Sequence, residues 1–572
     1  MELLKNIGRT LIYISRIVVG SVFVVSGLIK ANDTLGFSYK LEEYFLPNSL
    51  GSFWTVFEPY ALSIAILVCV AEVVLGLSLI FGTRYKLTVI SITAFLVFFG
   101  FLTYYTAQCN PHEMVTYVNE TGETITTNRE CVLDCGCFGD ALKGSLGRSL
   151  TPWESFKKDM VLLFFTLFLY IGFFIPQTLN NERRDKILIG GSLLFTALFG
   201  GYVFGWWMPL SFMAIAALLY IIIKWFYVGK GRDWIIIAML AGISGVFIWY
   251  TLTYLPVKDY RPYAIGNNLP ELMKSSDDYK EEIMEYEKAK LLSEYSAAIE
   301  QDINSALLSD TIYSNPMTTD SVKTIIKAGI EEQIGYKYED LVYAKADSIA
   351  NDSMERANLL PPVYASMFYL EHKETGERKN FSSTDYSKLK LWENWEFVYV
   401  MVNKETGERA EVAKKDFNEE EWTAKGFEKQ NPPTFMEKDG YEPKIPLDFD
   451  FNDAAINQNV LHSENYTILV VSWDMEMTNV KAIEKLKALY AHAQEKGYNF
   501  HAATSRDYLV EDFKKQYDIP FDFASADEKV LKTIVRSNPG VLLLKGGTVY
   551  GKWDEHRMPN VKKLEKKISK IK

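Results

Sequence analysis

Up to about Tyr254 the chain alternates long apolar runs with short charged breaks; from Pro256 onward it is polar and acid-rich, with Trp and Tyr spread through it. A helix needs about 20 apolar residues to cross a hydrocarbon core of roughly 30 Å. Seven segments meet that requirement: residues 8–29, 60–82, 87–107, 158–179, 187–205, 208–227 and 234–254. Basic residues sit at every second boundary: Lys5 and Arg9, Arg84 and Lys86, Arg183, Arg184 and Lys186, then Lys224, Lys230 and Arg232. The positive-inside rule puts those four places in the cytoplasm. The N terminus is then expected inside, the loop at 108–157 outside, and the C-terminal half outside after seven crossings. The first segment does not read as a cleavable signal peptide, since it is too long and carries Arg16 and no small-x-small site before Lys30.

Beyond a proline-bearing linker from Leu255 to Gly266, residues 270–358 show a strongly charged helical pattern broken at Asn315-Pro316, which reads as a solvated helical hairpin. Lys373-Glu-Thr-Gly-Glu-Arg378 recurs as Lys404-Glu-Thr-Gly-Glu-Arg409, each copy after an alternating aromatic run. Each predicts a β-hairpin turned at Thr-Gly, and with Tyr441–Asp450 they suggest a small β-rich module. From about 451 the pattern becomes β-α-β-α-β-β. It has an apolar strand at Thr467–Ser472, an amphipathic helix at Val480–Lys496, a strand at Phe500–Ala503, and a hairpin through Gly546-Gly547. The predicted fold is an α-helical multi-pass membrane domain followed by an α+β soluble region. Its expected divisions are a four-helix core at 1–180, three more membrane helices at 181–255, a linker and charged helices at 256–360, the β-module at 361–450, and a final α/β domain at 451–572.

Composition narrows the function classes. The 572 residues carry a formal net charge of −11, which argues against nucleic acid as a partner, because phosphate recognition needs clustered Lys and Arg. Membrane lipid is the partner the apolar half requires. Arg16 and Glu72 lie well inside the first and second membrane segments. Such charges are costly and usually paired. Counted from the segment ends the two sit at similar depth, so they are predicted to pair as a structural clamp. Arg16, Gly20, Phe23, Gly27 and Lys30 step by three or four and share a helix face.

All five cysteines precede residue 138, and three lie within Cys131-Val-Leu-Asp-Cys135-Gly-Cys137-Phe-Gly-Asp140. Cys69 lies mid-span and reads as an apolar packing residue. Three readings of Cys109, Cys131, Cys135 and Cys137 stay open. They could be exchanging disulfides, with Cys135 and Cys137 as the active pair and Cys109 and Cys131 as the loop pair. They could be static staples of the loop. Or Cys109, His112 and two of the remaining thiols could bind a metal. Thr151-Pro152-Trp153-Glu154 is a capping box that starts the fourth helix, about fourteen residues after Cys137. His462, His501 and His556 share no ligand spacing.

The Arg16-to-Lys30 face, Glu72-x3-Gly76, and Cys135-Gly-Cys137-Phe-Gly-Asp140 followed by Thr151-Pro152-Trp153 resemble the DoxX/MauE family of four-helix membrane proteins, over roughly residues 8–180. That family is similar in architecture to quinone-linked reductases of the vitamin K epoxide type, whose loop cysteines relay electrons. The resemblance implies a bacterial inner-membrane protein active in extracytoplasmic thiol–disulfide chemistry with a protein client. The residues leave the cofactor unknown, and the resemblance points to a quinone. Residues 451–572 resemble a thioredoxin fold, with the active-site turn at Trp473–Met477 and a cis-proline expected at Pro539. Where that family has Cys-x-x-Cys, this turn has no cysteine, so the domain is expected to bind a client beside Trp473 and Pro539 without redox chemistry of its own.

Overall fold

The computed structural model describes residues 2–109, 114–118, 124–132, 138–142, 149–174, 182–229, 231–403, 409–432, 434–438, 440, 441, 443, 445 and 454–571. The chain forms two compact units: Met1–Leu269 together with Asp448–Lys572, and Pro270–Leu447.

The first unit opens with α1 (Glu2–Asn32), α2 (Thr34–Phe45), α3 (Ala61–Phe81) and α4 (Tyr85–Gln108). A short hairpin of β1 (Met114–Val118) and β2 (Thr124–Asn128) follows, then α5 (Pro152–Ile171), α6 (Glu182–Thr196, running on as a π turn through Ala197–Val203), α7 (Met208–Phe226) and α8 (Arg232–Thr253). Among the described residues six spans are long and apolar enough to cross a bilayer: Asn6–Asn32, Trp54–Phe81, Tyr85–Gln108, Glu182–Val203, Met208–Phe226 and Arg232–Thr253. Leu67, Phe101, Leu167, Leu194 and Val246 are exposed on the bundle, an apolar exterior that lipid solvates. The chain is a multi-pass helical membrane protein.

The remaining predicted segment, 158–179, is α5, which starts earlier than its apolar stretch. Its capping box forms as predicted: the Glu154 N–H donates to Thr151 Oγ1 at 3.3 Å, and the Thr151 N–H donates to Glu154 Oε2 at 2.9 Å. This start puts Glu154, Lys157, Lys158 and Asp159 into the first turns, leaving too short an uncharged stretch for α5 to qualify by composition. Even so, α5 runs antiparallel along the length of α4. Trp153 and Phe156 pack on Tyr104 at one end. At the other, Tyr170 meets Thr93 Oγ1 at 3.0 Å and the Tyr85 hydroxyl donates to the Leu169 carbonyl at 2.8 Å.

α1 and α3 are antiparallel and unusually close. A Cβ at Gly76 would lie 2.7 Å from the Gly20 carbonyl oxygen, and one at Gly27 2.9 Å from the Glu72 Cβ. Small residues permit this approach, and they lock the register of the two helices.

In the second unit, α9 (Ser276–Ser309) and α10 (Asp320–Arg356) form the helical hairpin around Leu291, Val342 and Ala346. The Asn315-Pro316 break falls in the connection between them. Antiparallel strands β3 (Val363–His372), β4 (Arg378–Ser382), β5 (Trp395–Asn403) and β6 (Arg409–Ala413) run in the order β4-β3-β5-β6. β7 (Phe427–Lys429) pairs with β5, and β8 (Thr434–Lys438) with β3. The first repeat copy turns from β3 to β4 with Gly376 at φ +69°; residues 404–408 of the second lie outside the described residues, as does most of Tyr441–Asp450.

The chain then returns to the first unit through α11 (Ala454–His462), β9 (Thr467–Val471), α12 (Ile483–Lys496), β10 (Asn499–Thr504), α13 (Val510–Tyr517), β11 (Phe523–Ser525), α14 (Glu528–Ile534), β12 (Gly540–Lys545), β13 (Thr548–Trp553) and α15 (Val561–Ile568). The five strands lie in the order β11-β10-β9-β12-β13, the first three parallel and the last two antiparallel. Ile468, Val470, Leu486, Leu489, Val541 and Leu543 form the core between sheet and helices. The Asn538–Pro539 peptide is cis.

Candidate functional site

The end of the bundle where α1 and α4 finish and α5 begins collects the chemistry. Cys109 caps α4, its N–H donating to the Thr106 carbonyl at 3.2 Å, and is joined by a disulfide to Cys131 with a Cα separation of 5.8 Å. The returning strand is tied down beside it. Arg129 Nη1 donates to the Ser49 carbonyl at 3.1 Å, the Glu130 N–H donates to the Asn48 carbonyl at 3.0 Å, and Val132 is buried in the bundle core. Cys135, Cys137 and His112 lie outside the described residues. Phe138, which follows Cys137 in the chain, is buried against the rings of Phe199 and Phe204, and Lys158 Nζ lies 5.3 Å from its ring centre. With Cys109 and Cys131 bonded to each other, the metal reading loses a thiolate. Among the described residues no three His, Cys, Asp or Glu side chains converge as metal ligands would.

The predicted Arg16–Glu72 pair does not form. Glu72 is held by Lys30, whose Nζ lies 2.6 and 2.8 Å from its two carboxylate oxygens and donates to Ser26 Oγ at 3.0 Å. Arg16 instead donates to the Leu79 and Ile80 carbonyls at 2.8 and 2.9 Å, at the C-terminal end of α3, where those carbonyls have no helical partner. The glycine contacts explain the change of partner. They set Gly27 beside Glu72 and Gly20 beside Gly76, so Arg16 meets α3 seven residues beyond Glu72, about 10 Å along the axis. Counting depth from the segment ends ignored this stagger.

Beside the Lys30–Glu72 pair is a cavity of about 30 Å³ also lined by Ser26, Phe99, Lys158 and Asp159, room for a water or two. Asp159 is buried, 2.9 Å from Lys158 Nζ, and accepts from Thr103 Oγ1 at 3.4 Å. Four charged side chains thus gather just below the cysteine loop. Lys158 and Asp159 carry no signal in the sequence, because they sit in the polar first turns of α5, where charge is unremarkable.

A second cavity, about 100 Å³, opens where α1 and α2 meet Phe138, Gly139, the 256–261 segment and Arg536 of the terminal domain. Arg536 Nε holds Asp33 at 3.0 and 3.1 Å. A Cβ at Gly36 would press on Asp33 Oδ2 and lie 2.7 Å from Arg536 Nη2, so the pair would have to shift. Burial works to raise the Asp33 carboxyl, but Arg536 and Arg261 outweigh it and hold it below the ordinary carboxylate range. Asp259 is bound by Arg261 at 2.8 Å and by Lys552 at 2.6 Å. Despite its burial, these cations hold it well below that range. Neither cavity reaches the several hundred Å³ of a typical organic-ligand pocket.

The two residues predicted to hold a client lie near this junction. Lys532 Nζ sits between the rings of Tyr39 on α2 and Trp473, 4.3 and 5.1 Å from their centres. The Trp473 indole Nε1 is buried without a hydrogen-bond partner among the described residues. The loop before Pro539 is braced on the Trp473 turn, Asn538 Nδ2 donating to the Asp474 carbonyl at 2.5 Å. The face expected to meet a foreign chain therefore lies beside the protein's own α2. Asp33 and Arg536 were not singled out from the sequence, because their contact joins residues 503 positions apart.

A family model described as methylamine utilisation protein MauE matches residues 8–112. The match covers α1 to α4 with Lys30, Glu72 and Cys109, and it ends before Cys131–Asp140, so the Cys-Gly-Cys-Phe-Gly element is not what carries the likeness. No curated protein and no solved structure matches the chain.

Proposed function

We propose that this MauE-like membrane protein carries out thiol–disulfide exchange outside the cytoplasm, with Cys135 and Cys137 as the exchanging pair and Cys109–Cys131 as the disulfide that accepts their electrons. The observation that carries the reading is the closed Cys109–Cys131 bridge at the end of α4, in the loop that also bears the other two thiols. In the forward direction a client thiolate attacks a Cys135–Cys137 disulfide, giving a mixed disulfide and one free thiolate. A second client thiolate displaces the pair, which leaves as two thiols. Those thiols then reduce Cys109–Cys131 in the same two steps, so two electrons and two protons end on Cys109 and Cys131.

The basic residues of the helix ends (Arg84, Lys86, Lys224 and Arg232) lie at the ends away from Cys109, which supports a bacterial inner-membrane location with the N terminus cytoplasmic and the loop and terminal domain periplasmic. The strand order and cis-Pro539 support reading the terminal domain as a thioredoxin-like fold that lacks the nucleophile, with Trp473 and Pro539 as client contacts. A docking protein with structural bridges is the second reading, favoured by the contact of that face with α2. Differential alkylation of intact membranes tests the choice. Cys135→Ser is expected to trap a mixed disulfide through Cys137. Four cysteines that stay oxidised and never exchange with any protein would leave only the docking reading.

A further inference from the structure

The two larger sheets have guarded edges. In the terminal sheet β13 is closed off by the linker, where Asn268 bridges to Thr548 and the Gly266 N–H donates to the Val549 carbonyl at 2.8 Å. The opposite edge, β11, is only three residues long. In the second unit the strands at the ends of the order carry charge, Arg378 and Lys379 on β4 and Arg409 and Glu411 on β6. Short, covered or charged edges keep a sheet from pairing with another chain.

The ribbon of β1 and β2 has none of these devices. Its sequence, Met-Val-Thr-Tyr-Val against Thr-Ile-Thr-Thr-Asn, holds no charged residue and no proline, and is rich in the residue types that favour an extended backbone. The strands pair antiparallel through five residues, from Met114 with Asn128 to Val118 with Thr124, without a bulge. Among the described residues they form a two-stranded sheet, and β2 has no strand on its outer side. A two-stranded ribbon alone is marginal in water. This one is fastened at its base by the Cys109–Cys131 disulfide and, just past β2, by Arg129 and Glu130 on the Ser49 and Asn48 carbonyls. The fastening holds β2 extended and leaves its outer edge open.

We propose that the outer edge of β2 is a docking surface for the client, which adds to it as a third, extended strand. In an antiparallel pair every second residue turns its N–H and C=O away from its partner. A polypeptide backbone offers the alternating donors and acceptors that match such a row, and recognition through them tolerates many side chains. β2 also aims the client. Asn128 lies three residues before Cys131 and seven before Cys135, so a chain laid along β2 is carried within about 25 Å of the exchanging pair. The client's role rests on the exchange reading above; the open edge does not.

Full-length protein in detergent micelles is titrated against a fluorescein-labelled, cysteine-free peptide, about eight residues of alternating Thr and Val between two lysines, with anisotropy as the readout. Saturable binding is expected. Methylating the backbone nitrogens of the central residues blocks both edges of the peptide strand and is expected to weaken binding at least tenfold. Replacing residues 114–128 by a glycine–serine chain of equal length is expected to abolish it. No saturable binding, equal binding of the methylated peptide, or undiminished binding after the replacement overturns the proposal. If the replaced protein does not fold, undiminished binding in both Ile125→Pro and Thr126→Pro, adjacent residues of which one turns outward, does the same. Self-association that the replacement abolishes, without peptide binding, assigns the edge to a second copy and also overturns it. The exchange reading is tested apart, with the same peptide carrying a terminal cysteine: binding without a mixed disulfide upholds the docking surface and refutes the exchange.

Discussion

Lys30 and Glu72 are both buried within the bundle, so each depends on the other for its charge. Removing one partner of a buried pair leaves an uncompensated charge and costs about 3–5 kcal/mol, whereas replacing both with apolar residues is often nearly neutral. The surroundings make the two truncations unequal. In Glu72→Met the ammonium keeps Ser26 Oγ at 3.0 Å and the rings of Phe37 and Phe99 at 5.7 and 5.6 Å, contacts worth roughly 0.5–2 kcal/mol to a cation. In Lys30→Met the carboxylate keeps no bonded cation among the described residues. Lys30→Met is therefore expected near the upper end of the range, Glu72→Met near the lower, and the double variant close to the unaltered protein. With single costs of about 5 and 3 kcal/mol and a double variant near zero, the coupling in that cycle should approach about 8 kcal/mol, measured by reversible unfolding in mixed detergent micelles. The cycle of Arg16→Met with Glu72→Met should be additive within about 0.5 kcal/mol, as for separated sites. An additive Lys30–Glu72 cycle, or a coupled Arg16–Glu72 cycle, refutes the assigned pairing.

Three other outcomes are expected. Gly76→Ala puts a Cβ 2.7 Å from the Gly20 carbonyl oxygen, and should destabilise the α1–α3 contact by about 1–3 kcal/mol in the same unfolding assay. Gly36→Ala should displace Arg536 from Asp33, seen as faster amide exchange across residues 532–537 with the membrane helices unchanged. Lys552 has its folded value at about 7, below the ordinary 10.5. Between those values the unfolded chain binds the extra proton, so stability should rise as pH goes from about 7 to 10; Lys552→Met should flatten that rise in thermal melts across the range.

What the sequence disclosed depended on how local the signal was. The six apolar spans, the capping box at Thr151, the helical hairpin and strands β9, β10, β12 and β13 rest on nearest-neighbour pattern and were legible. Between β10 and β12 the pattern predicted a single helix without bounds; the structure has α13, β11 and α14 there, short and weakly patterned elements set by packing on β10. The intramembrane pair went wrong for a different reason. Arg16 and Lys30 share one helix face, and only the interhelical register decides which of them Glu72 meets. That register is written in Gly20, Gly27 and Gly76, glycines that the sequence shows but whose partners it does not. The Asp33–Arg536 contact and both cavities come from residues hundreds of positions apart, where periodicity is silent.

The terminal sheet is not continuous in the chain. Asn268 bridges to Thr548, and the Gly266 and Leu269 N–H groups donate to the Val549 and Gly547 carbonyls, yet Pro270–Leu447 intervenes before that sheet is made. At ~5–20 residues per second a ribosome spends roughly 10–35 s on the intervening unit. Throughout that interval the segment emerging from the bilayer has no strand to receive it. Nascent chains arrested near residue 447 should therefore expose Tyr263 and Leu269, buried in the finished protein, as a handle for whatever chaperones patrol that side of the membrane.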